Sequence, residues 1–423
     1  MALRGRSRTL PALCRQGAAV AVVALGLAGC GGGTHLASKT GSTSTSVTPP
    51  VSGGSGAVQS ASGQSQLNFP MVATKNTTRA AGNAIQNAAA VALAVYPSAI
   101  PGTHPPGVAL VSTSDWQAAI AATSLMSAPF RAPVLLSRPG TLTGTTRVAL
   151  HSLAPTGERS LGGAQVVRIG SVASAPGLRS TPIAGSDPYT LAASIDHFEA
   201  QATGRESGDV VVASADSPGF AMPAAGWAAE SGDPILYVNS HSVPGPTVAA
   251  LQAHHHPHIY VLGPPSVIPG SVLRKLGHYG TVKRISGSDP AASSVAFAGY
   301  RDPACPSGQP CGHVPHSFGW AIRSPGHAYV LINSADPLDA AAAAPLSSAG
   351  GYGPQLLVQN ANTLPKSVLN YFLNYATPGY TSQGPTSAVY NHGWLIGPTS
   401  AISLGMQAQV DSLLEAVPQR GGG

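Results

Sequence analysis

Short, continuous apolar runs recur along the chain, and each is followed by a polar step and a stretch of small residues. Three of these runs lead into an aspartate at equivalent positions, namely Asp115, Asp216 and Asp336. They read VALVSTSD (108–115), VVVASADS (210–217) and YVLINSAD (329–336). Such runs predict buried strands, each followed by a helix.

Two further sets of apolar runs occur in the same order. The second set is APVLLS (132–137), DPILYV (233–238) and GPQLLV (353–358), and the third is QVVRIG (165–170), IYVLGP (259–264) and GWLIGP (393–398). Continuous apolar strands that alternate with helices indicate parallel sheets covered on both faces. We therefore expect an α/β protein of three tandem Rossmann-like parallel-sheet repeats, packed as a pseudo-threefold unit.

Repeated helix starts support this division. A Gly-Ser-Asp-Pro step occurs at 185–188 and again at 287–290, where Asp187 and Asp289 suit the N-cap and proline suits the first helical turn. The repeat length is about 100 residues. We place repeat 1, a degenerate copy, at 67–180, repeat 2 at 181–282, and repeat 3, which carries an insertion, at 283–423.

The N-terminus reads as an export and anchoring signal. Residues 1–16 are basic and polar, residues 17–28 are apolar or small, and the run ends in Leu-Ala-Gly before Cys30. This pattern resembles a bacterial lipoprotein box, so we expect a signal peptide at 1–29 and a lipid, palmitate included, on Cys30. Residues 30–66 would consist of the lipidated Cys30 followed by a flexible Gly/Ser/Thr/Pro tether. An ordinary cleaved signal or an uncleaved anchor is the alternative.

Two cysteines remain once the signal and Cys30 are set aside. Cys305 and Cys311 lie in CPSGQPC, and a disulfide between them is the expectation for an exported protein. His313 and His316 follow closely, so a zinc site of the form Cys-x5-Cys-x-His-x2-His is an alternative. Free thiols are the third possibility.

Charge gives no reason to expect a nucleic-acid partner. The net charge of +6 owes four units to Arg4, Arg6, Arg8 and Arg15, and without the signal 18 basic residues face 16 acidic ones. No basic stripe with interleaved aromatic residues occurs. The charged fraction of 9% and apolar fraction of 43% also exclude a long disordered chain.

Two groups of polar residues are candidates for binding. Asp115, Asp216 and Asp336 would lie at the carboxyl ends of parallel strands, the usual ligand position in open α/β sheets. The alternative is that each caps the following helix or ends its strand. The histidines of HHHPH (254–258) suggest a metal, but we expect a solvated turn there, because adjacent histidines point in different directions.

No catalytic signature emerges. The expected folded region lacks a G-x-S-x-G elbow, an H-E-x-x-H motif, a phosphate-binding loop and a glycine fingerprint. We therefore expect no catalytic residues, no cofactor and no metal.

The repeats resemble the cell wall-binding repeat type 2 family of clostridial surface proteins and exported actinobacterial proteins, which usually carries three tandem copies. The family's start, R-I-x-G-x-D-R-Y, is similar to Arg284, Ile285, Gly287 and Asp289 in the third copy, and to Ile183, Gly185, Asp187 and Tyr189 in the second. Its middle motif, D-A-L-A-A-A-P-L, is similar to 339–346. The resemblance covers about 75–417 and implies that the partner is a wall polymer. It adds Asp339 as a candidate contact residue. It also leads us to expect an actinobacterial source.

Several positions depart from the family pattern. Pro188 and Pro290 replace its start arginine, and Ala118 and Phe220 stand where the third copy has Asp339. The first copy has almost lost the start motif. We therefore expect the second and third copies to carry most of the polymer binding.

Together these features predict a non-catalytic, lipid-anchored surface protein on the outer face of the cytoplasmic membrane that binds cell-wall polymer non-covalently through three repeats. The rivals are an extracytoplasmic ligand-binding lipoprotein and a cell-envelope hydrolase. The threefold repeat argues against the two lobes of the first, and the lack of a separate catalytic segment argues against the second. The oligomeric state is not predicted.

Overall fold

A computed structural model describes residues 73–303, 317–380, 384, 386 and 388–418. The strands are β1 (Thr77–Ala80), β2 (Val108–Ser112), β3 (Val134–Ser137), β4 (Val166–Ile169), β5 (Ser180–Ile183), β6 (Asp209–Ser214), β7 (Ile235–Val238), β8 (His258–Leu262), β9 (Thr281–Ile285), β10 (Ala328–Asn333), β11 (Gln355–Val358), β12 (Gly379–Tyr380), β13 (His392–Ile396) and β14 (Val417–Pro418). The α-helices are α1 (Ala84–Val95), α2 (Trp116–Ala121), α3 (Gly144–Leu153), α4 (Pro188–Thr203), α5 (Pro218–Ala221), α6 (Pro223–Ser231), α7 (Gly245–Ala253), α8 (Gly270–Leu276), α9 (Pro290–Ala298), α10 (Pro337–Ser348), α11 (Lys366–Tyr371) and α12 (Leu404–Leu413). The chain also forms short 3₁₀ helices at Ala122–Met126 and Arg159–Leu161 and a π-helical turn at Phe372–Ala376.

Three four-stranded parallel sheets repeat one topology. Their strand orders are β3-β2-β4-β5, β7-β6-β8-β9 and β11-β10-β13-β1, and β12 pairs separately with β14. The predicted α/β class with Rossmann-like repeats is confirmed. The central strands β2, β6 and β10 are buried almost throughout, as continuous apolar strands must be when both faces of a sheet are covered.

Each sheet has a fourth strand that the sequence pattern did not predict. These strands are β5, β9 and β1, and each lies at a sheet edge. Their sequences, STPI, TVKRI and TTRA, mix polar and apolar residues. These three strands are only partly buried, whereas the strands at the opposite edges, β3, β7 and β11, are buried throughout. Because they are partly exposed, β5, β9 and β1 lack the apolar run by which the other strands were found.

The fourth strand links each repeat to the one before it. β5 and β9 precede the helices α4 and α9 of repeats 2 and 3, yet they pair with the sheets of repeats 1 and 2. β1, ahead of repeat 1, pairs with β13 of the third sheet, in the register Thr77 to Gly393 through Ala80 to Ile396. The first strand of the described chain therefore completes the last sheet, and the three repeats close into a ring.

The centre of this ring is built from small residues. The helix that follows each central strand, α2 with its 3₁₀ extension, α6 and α10, contacts its two counterparts. A Cβ placed on Gly226 of α6 would lie 2.7 Å from the Oγ of Ser347 on α10. Alanine and glycine on these helices therefore permit the close approach that the pseudo-threefold packing needs.

The predicted helix starts are confirmed. The side chain of Asp187 accepts the backbone N–H groups of Tyr189 and Thr190, each at 2.9 Å, and that of Asp289 accepts the N–H of Ala292 at 2.9 Å. The glycine two residues before the cap lies against the helix it precedes. A Cβ on Gly287 would lie 2.3 Å from a backbone carbon, so no larger residue fits.

Candidate functional site

The four candidate aspartates take different positions in the fold. Asp115 caps α2 and accepts the N–H of Ala118 at 2.8 Å. Asp216 is exposed beyond the end of β6. Asp336 begins α10 without a side-chain bond to the helix, and Asp339 is buried in its first turn. Of the four, Asp336 and Asp339 line the same cavity.

This cavity, the junction pocket, lies where the third sheet meets the first repeat and has a volume of about 700 Å³. Its wall from the third repeat comes from the ends of β10 and β13 and the start of α10, and its other wall comes from the first repeat. The lining residues are 82–84, 113, 114, 116, 333, 335–339, 398, 400 and 401. The pocket thus occupies the carboxyl ends of parallel strands, where ligands bind in open α/β sheets.

A buried polar pair joins the two walls. The amide of Asn87, on α1, donates to the carboxylate of Asp339 at 2.9 Å and accepts the N–H of Gly82 at 2.9 Å. Asn87 and Asp339 are 1% and 4% exposed. Burial raises the pKa of Asp339 to about 6, a rise that the bond from Asn87 opposes and the nearby charge of Asp336 reinforces. Burial also raises the pKa of Asp336.

A glycine lies directly beside the pocket. Gly397 follows β13 with φ of +119°, and a Cβ there would lie 3.3 Å from Ala401 and 3.5 Å from the carboxylate of Asp339. Its carbonyl accepts a bond of 3.0 Å from the guanidinium of Arg79, on β1. Arg79 is buried and also donates to Gln407 at 2.9 Å, so the N-terminal strand fixes this edge of the pocket.

Arg79 and Asn87 are residues that sequence reasoning missed. Arg284, on β9, donates to the carbonyl of Gly263, which ends the third strand of repeat 2 as Gly397 ends that of repeat 3. The spacing from Arg79 to Gly82 equals that from Arg284 to Gly287. This Arg-x-x-Gly spacing was the available signal, and it shows that the first copy retains part of the start motif.

An aromatic side chain forms the wall contributed by the first repeat. Trp116, half-buried at the start of α2, meets the ring of Tyr237 edge to face with centroids 5.9 Å apart. Tyr237, in the second sheet, donates its hydroxyl to the carbonyl of Gln117 at 2.9 Å. An indole held in place beside two carboxylates, an amide and hydroxyl groups is suited to a ring that is apolar on its faces and polar at its edges.

The histidine-rich turn differs from the expectation. His255 and His256 are exposed with φ of 53° and 68°, as a solvated turn requires. His254 is only 6% exposed, and its Nε2 lies 2.9 Å from the carboxylate of Asp196. The prediction of a solvated turn is therefore wrong for His254.

The cysteine predictions fall outside the described residues. Cys30, Cys305 and Cys311 all lie there, so the lipid anchor and the disulfide stay predictions. The residues flanking the second pair are joined, because Asp302 and Phe318 exchange two backbone hydrogen bonds of 2.8 and 2.9 Å. Among the described helices, none is long and apolar enough to cross a membrane.

The fold defines this chain as an α/β repeat protein. Three Rossmann-like sheets surround a core of small-residue helices, and a polar pocket lies at one junction between repeats. Residues 183–273, from the end of β5 into α8, match the family described as Cell wall binding domain 2 (CWB2). The resemblance seen in the sequence is therefore confirmed over these residues of the second copy.

Two solved structures share the fold. Cwp6 from Clostridium difficile matches with a TM-score of 0.58 and 17% identity, covering 78% of this chain and 48% of its own. Cwp8 from Clostridium difficile matches with a TM-score of 0.58 and 14% identity, covering 80% and 52%. The chain thus spans about half the length of each. No curated protein sequence matches significantly.

Proposed function

We propose that this protein is a non-catalytic surface lipoprotein that binds cell-wall polymer non-covalently through three repeats of the CWB2 type. The observation that carries the proposal is the CWB2 match of the second copy. The shared topology of the three sheets supports extending it to the other two. A lipid on Cys30 would hold the chain at the outer face of the cytoplasmic membrane, and the tether would let the repeats reach the wall.

The junction pocket is the best candidate for the polymer contact. It combines the half-buried indole of Trp116 with the carboxylates of Asp336 and Asp339, and Ser400 and Thr113 add hydroxyl groups. Hydroxyl-rich sugar rings can donate to carboxylates and lie against an indole. Because the mature chain is nearly neutral, we expect such contacts to outweigh long-range ionic attraction.

Cosedimentation of the full chain with purified cell-wall material tests this proposal. We expect binding that changes little between low and moderate salt. Trp116→Ala should weaken it about tenfold, because a central aromatic contact often contributes more than 1 kcal/mol. Trp394→Ala is the matched control, since Trp394 is also half-buried but stands against His392 on β13, away from the pocket.

Two outcomes would contradict the proposal at different levels. If the wild-type chain does not sediment with wall material, wall binding itself is wrong. If both tryptophan variants bind like the wild type, the polymer contacts another surface.

A cell-envelope hydrolase is the second candidate because the pocket holds two carboxyl groups, and burial raises the pKa of both. Paired carboxylates of this kind serve as acid and base in glycoside hydrolysis. Prolonged incubation with wall material should release no reducing sugar ends if the protein only binds. Release that disappears in Asp339→Asn would favour the hydrolase.

A further inference from the structure

His254 is held in one orientation by the backbone. Its Nδ1 lies 2.8 Å from the carbonyl oxygen of Ser207. Because a carbonyl can only accept, Nδ1 carries the proton and donates it. The other ring nitrogen, Nε2, faces two carboxylates, Asp196 at 2.9 Å and Glu206 at 3.8 Å.

These three side chains come from separate segments of the second repeat. Asp196 lies on α4, Glu206 on the segment between α4 and β6, and His254 at the turn before β8. One ligand atom from each lies within 4.8 Å of the others. A tetrahedral ion with bonds of about 2.0–2.1 Å would separate its ligands by ~3.3 Å, and the two distances from His254 bracket that value.

A third acidic side chain, Glu199, has an oxygen that lacks a partner among the described residues. Glu199, one turn beyond Asp196 on α4, is 8% exposed. Within the described part of the chain its Oε2 has no hydrogen-bond partner. It lines a cavity of about 380 Å³ together with Asp196 and Glu206. Burial raises the pKa of Glu199 well above its usual range, because its charged form lacks enough compensating partners, and a cation or its bound water would supply one.

We propose that Asp196, Glu206 and His254 bind a zinc ion, with Glu199 lining the cavity beside it. A mixed set of imidazole and carboxylate ligands suits zinc, whereas calcium and magnesium prefer oxygen ligands alone. The bond from His254 Nδ1 to a backbone carbonyl is the outer contact that metal-bound histidines usually make, and it leaves Nε2 for the metal.

An ion can reach this position from outside. Asp196 and Glu206 also line a second, open cavity of about 320 Å³ that is bounded by α4 and α7. Ser127 and Phe130, from the first repeat, line the first cavity. The bound ion would therefore join three segments of repeat 2 beside its contact with repeat 1.

A proton is the competing occupant of His254 Nε2. Burial lowers the pKa of His254, but the hydrogen bond and charge of Asp196 outweigh this effect and raise it. A protonated imidazole paired with Asp196 would need no metal. The experiment must therefore separate a metal site from a buried ion pair.

Calorimetric titration of the untagged, chelator-treated full chain with Zn²⁺ makes this separation. We expect one equivalent to bind tightly and Ca²⁺ or Mg²⁺ at the same concentration not to bind. Glu206→Gln should weaken zinc binding at least about tenfold, and His254→Asn should abolish it. Co²⁺ in place of zinc should give visible absorption that both variants lose.

Controls exclude the other histidines and cysteines. His255→Asn with His256→Asn removes the exposed imidazoles, and asparagine tolerates their left-handed backbone. Cys305→Ser with Cys311→Ser removes the alternative cysteine site. Both double variants should bind zinc like the wild type, and loss of binding in either would overturn the proposal. Equal affinity in Glu206→Gln, or no zinc binding by the wild type, would also overturn it, even if His254→Asn fails to fold.

Discussion

Two junctions between repeats share a backbone arrangement but are filled differently. Where the second sheet meets repeat 3, Phe220 packs beside Gly263, and its Cβ would lie 3.4 Å from a Cβ on that glycine. Where the third sheet meets repeat 1, Asp339 occupies the same place beside Gly397. At one junction an aromatic side chain stands beside the glycine, and at the other a carboxyl group stands there and lines the junction pocket.

The partner across each junction changes with this residue. Four residues beyond the helix N-cap, repeat 1 has Asn87, which binds Asp339, whereas repeat 3 has Ser293 opposite Phe220. Between the first sheet and repeat 2, the corresponding residues are Ala118 and Leu191, both buried. Threefold topology therefore does not imply three equal sites, because side chains decide which junction can accept a ligand.

The largest effect should come from Arg79, whose counterpart at the other junction is Arg284. Arg79→Met should lower the free energy of unfolding by about 2–4 kcal/mol, because the buried acceptors Gly397 and Gln407 lose a charged donor. Burial lowers the pKa of Arg79 to about 10. Arg284→Met, at a partly exposed arginine, should cost about half as much, since water can replace the donor. Urea unfolding of both variants measures the difference, and an equal loss would contradict the special role of β1.

The next effect is a pH dependence confined to the junction with a carboxylate. The pKa of Asp339 is raised to about 6 from 3.8, so the folded chain holds this proton to higher pH than the unfolded chain. Asp339 therefore makes the free energy of unfolding fall as pH rises from about 4 to about 6, by at most about 3 kcal/mol.

Comparison with Asp339→Asn isolates this contribution from other carboxyls, such as Asp209, whose pKa burial raises to about 7. The variant should lack that part of the decline, so the two urea-unfolding curves against pH should diverge between pH 4 and 6. Parallel curves would show that Asp339 titrates normally.

A smaller effect follows from breaking the polar pair. Asp339→Ala should cost about 2 kcal/mol, because it leaves the buried amide of Asn87 without its acceptor. Adding Asn87→Leu reproduces the Ala118 and Leu191 pair of the first junction and should recover most of that stability. Wall binding should not recover with it. A double variant as unstable as the single one would mean that the polar pair is not what Asp339 provides.

The sequence predicted the strands and helix starts because these depend on local pattern. Buried strands such as β2 need continuous apolar residues, and an aspartate before proline caps α4 wherever the chain runs afterwards. The edge strand β1 carries no such pattern, and its place beside β13 depends on residues more than 300 positions later.

The candidate site was predicted only in part for the same reason. Asp336 and Asp339 were found through a repeated strand end and a family motif, but Asn87 is visible only once α1 packs against α10. The burial of His254 depends likewise on Asp196, which lies 58 residues away. Sequence spacing reports neighbours within one element. These pairs form only when distant elements pack together, Asn87 with Asp339 between two repeats and His254 with Asp196 within repeat 2.

The smallest effect on stability should separate the two strand-end aspartates by function. Asp336 and Asp216 occupy equivalent positions at the strand ends. Asp336 makes no capping side-chain bond to α10, and Asp216, one residue before the N-cap Ser217, is exposed. Asp336→Asn and Asp216→Asn should each change the free energy of unfolding by no more than about 0.5 kcal/mol. Asp336→Asn should nevertheless weaken cosedimentation with wall material about fivefold, on the scale of one charge-assisted hydrogen bond, because its side chain lines the junction pocket. Asp216→Asn should bind like the wild type. Equal weakening in both variants would instead favour polymer contacts at every strand end and would remove the functional distinction between the two junctions.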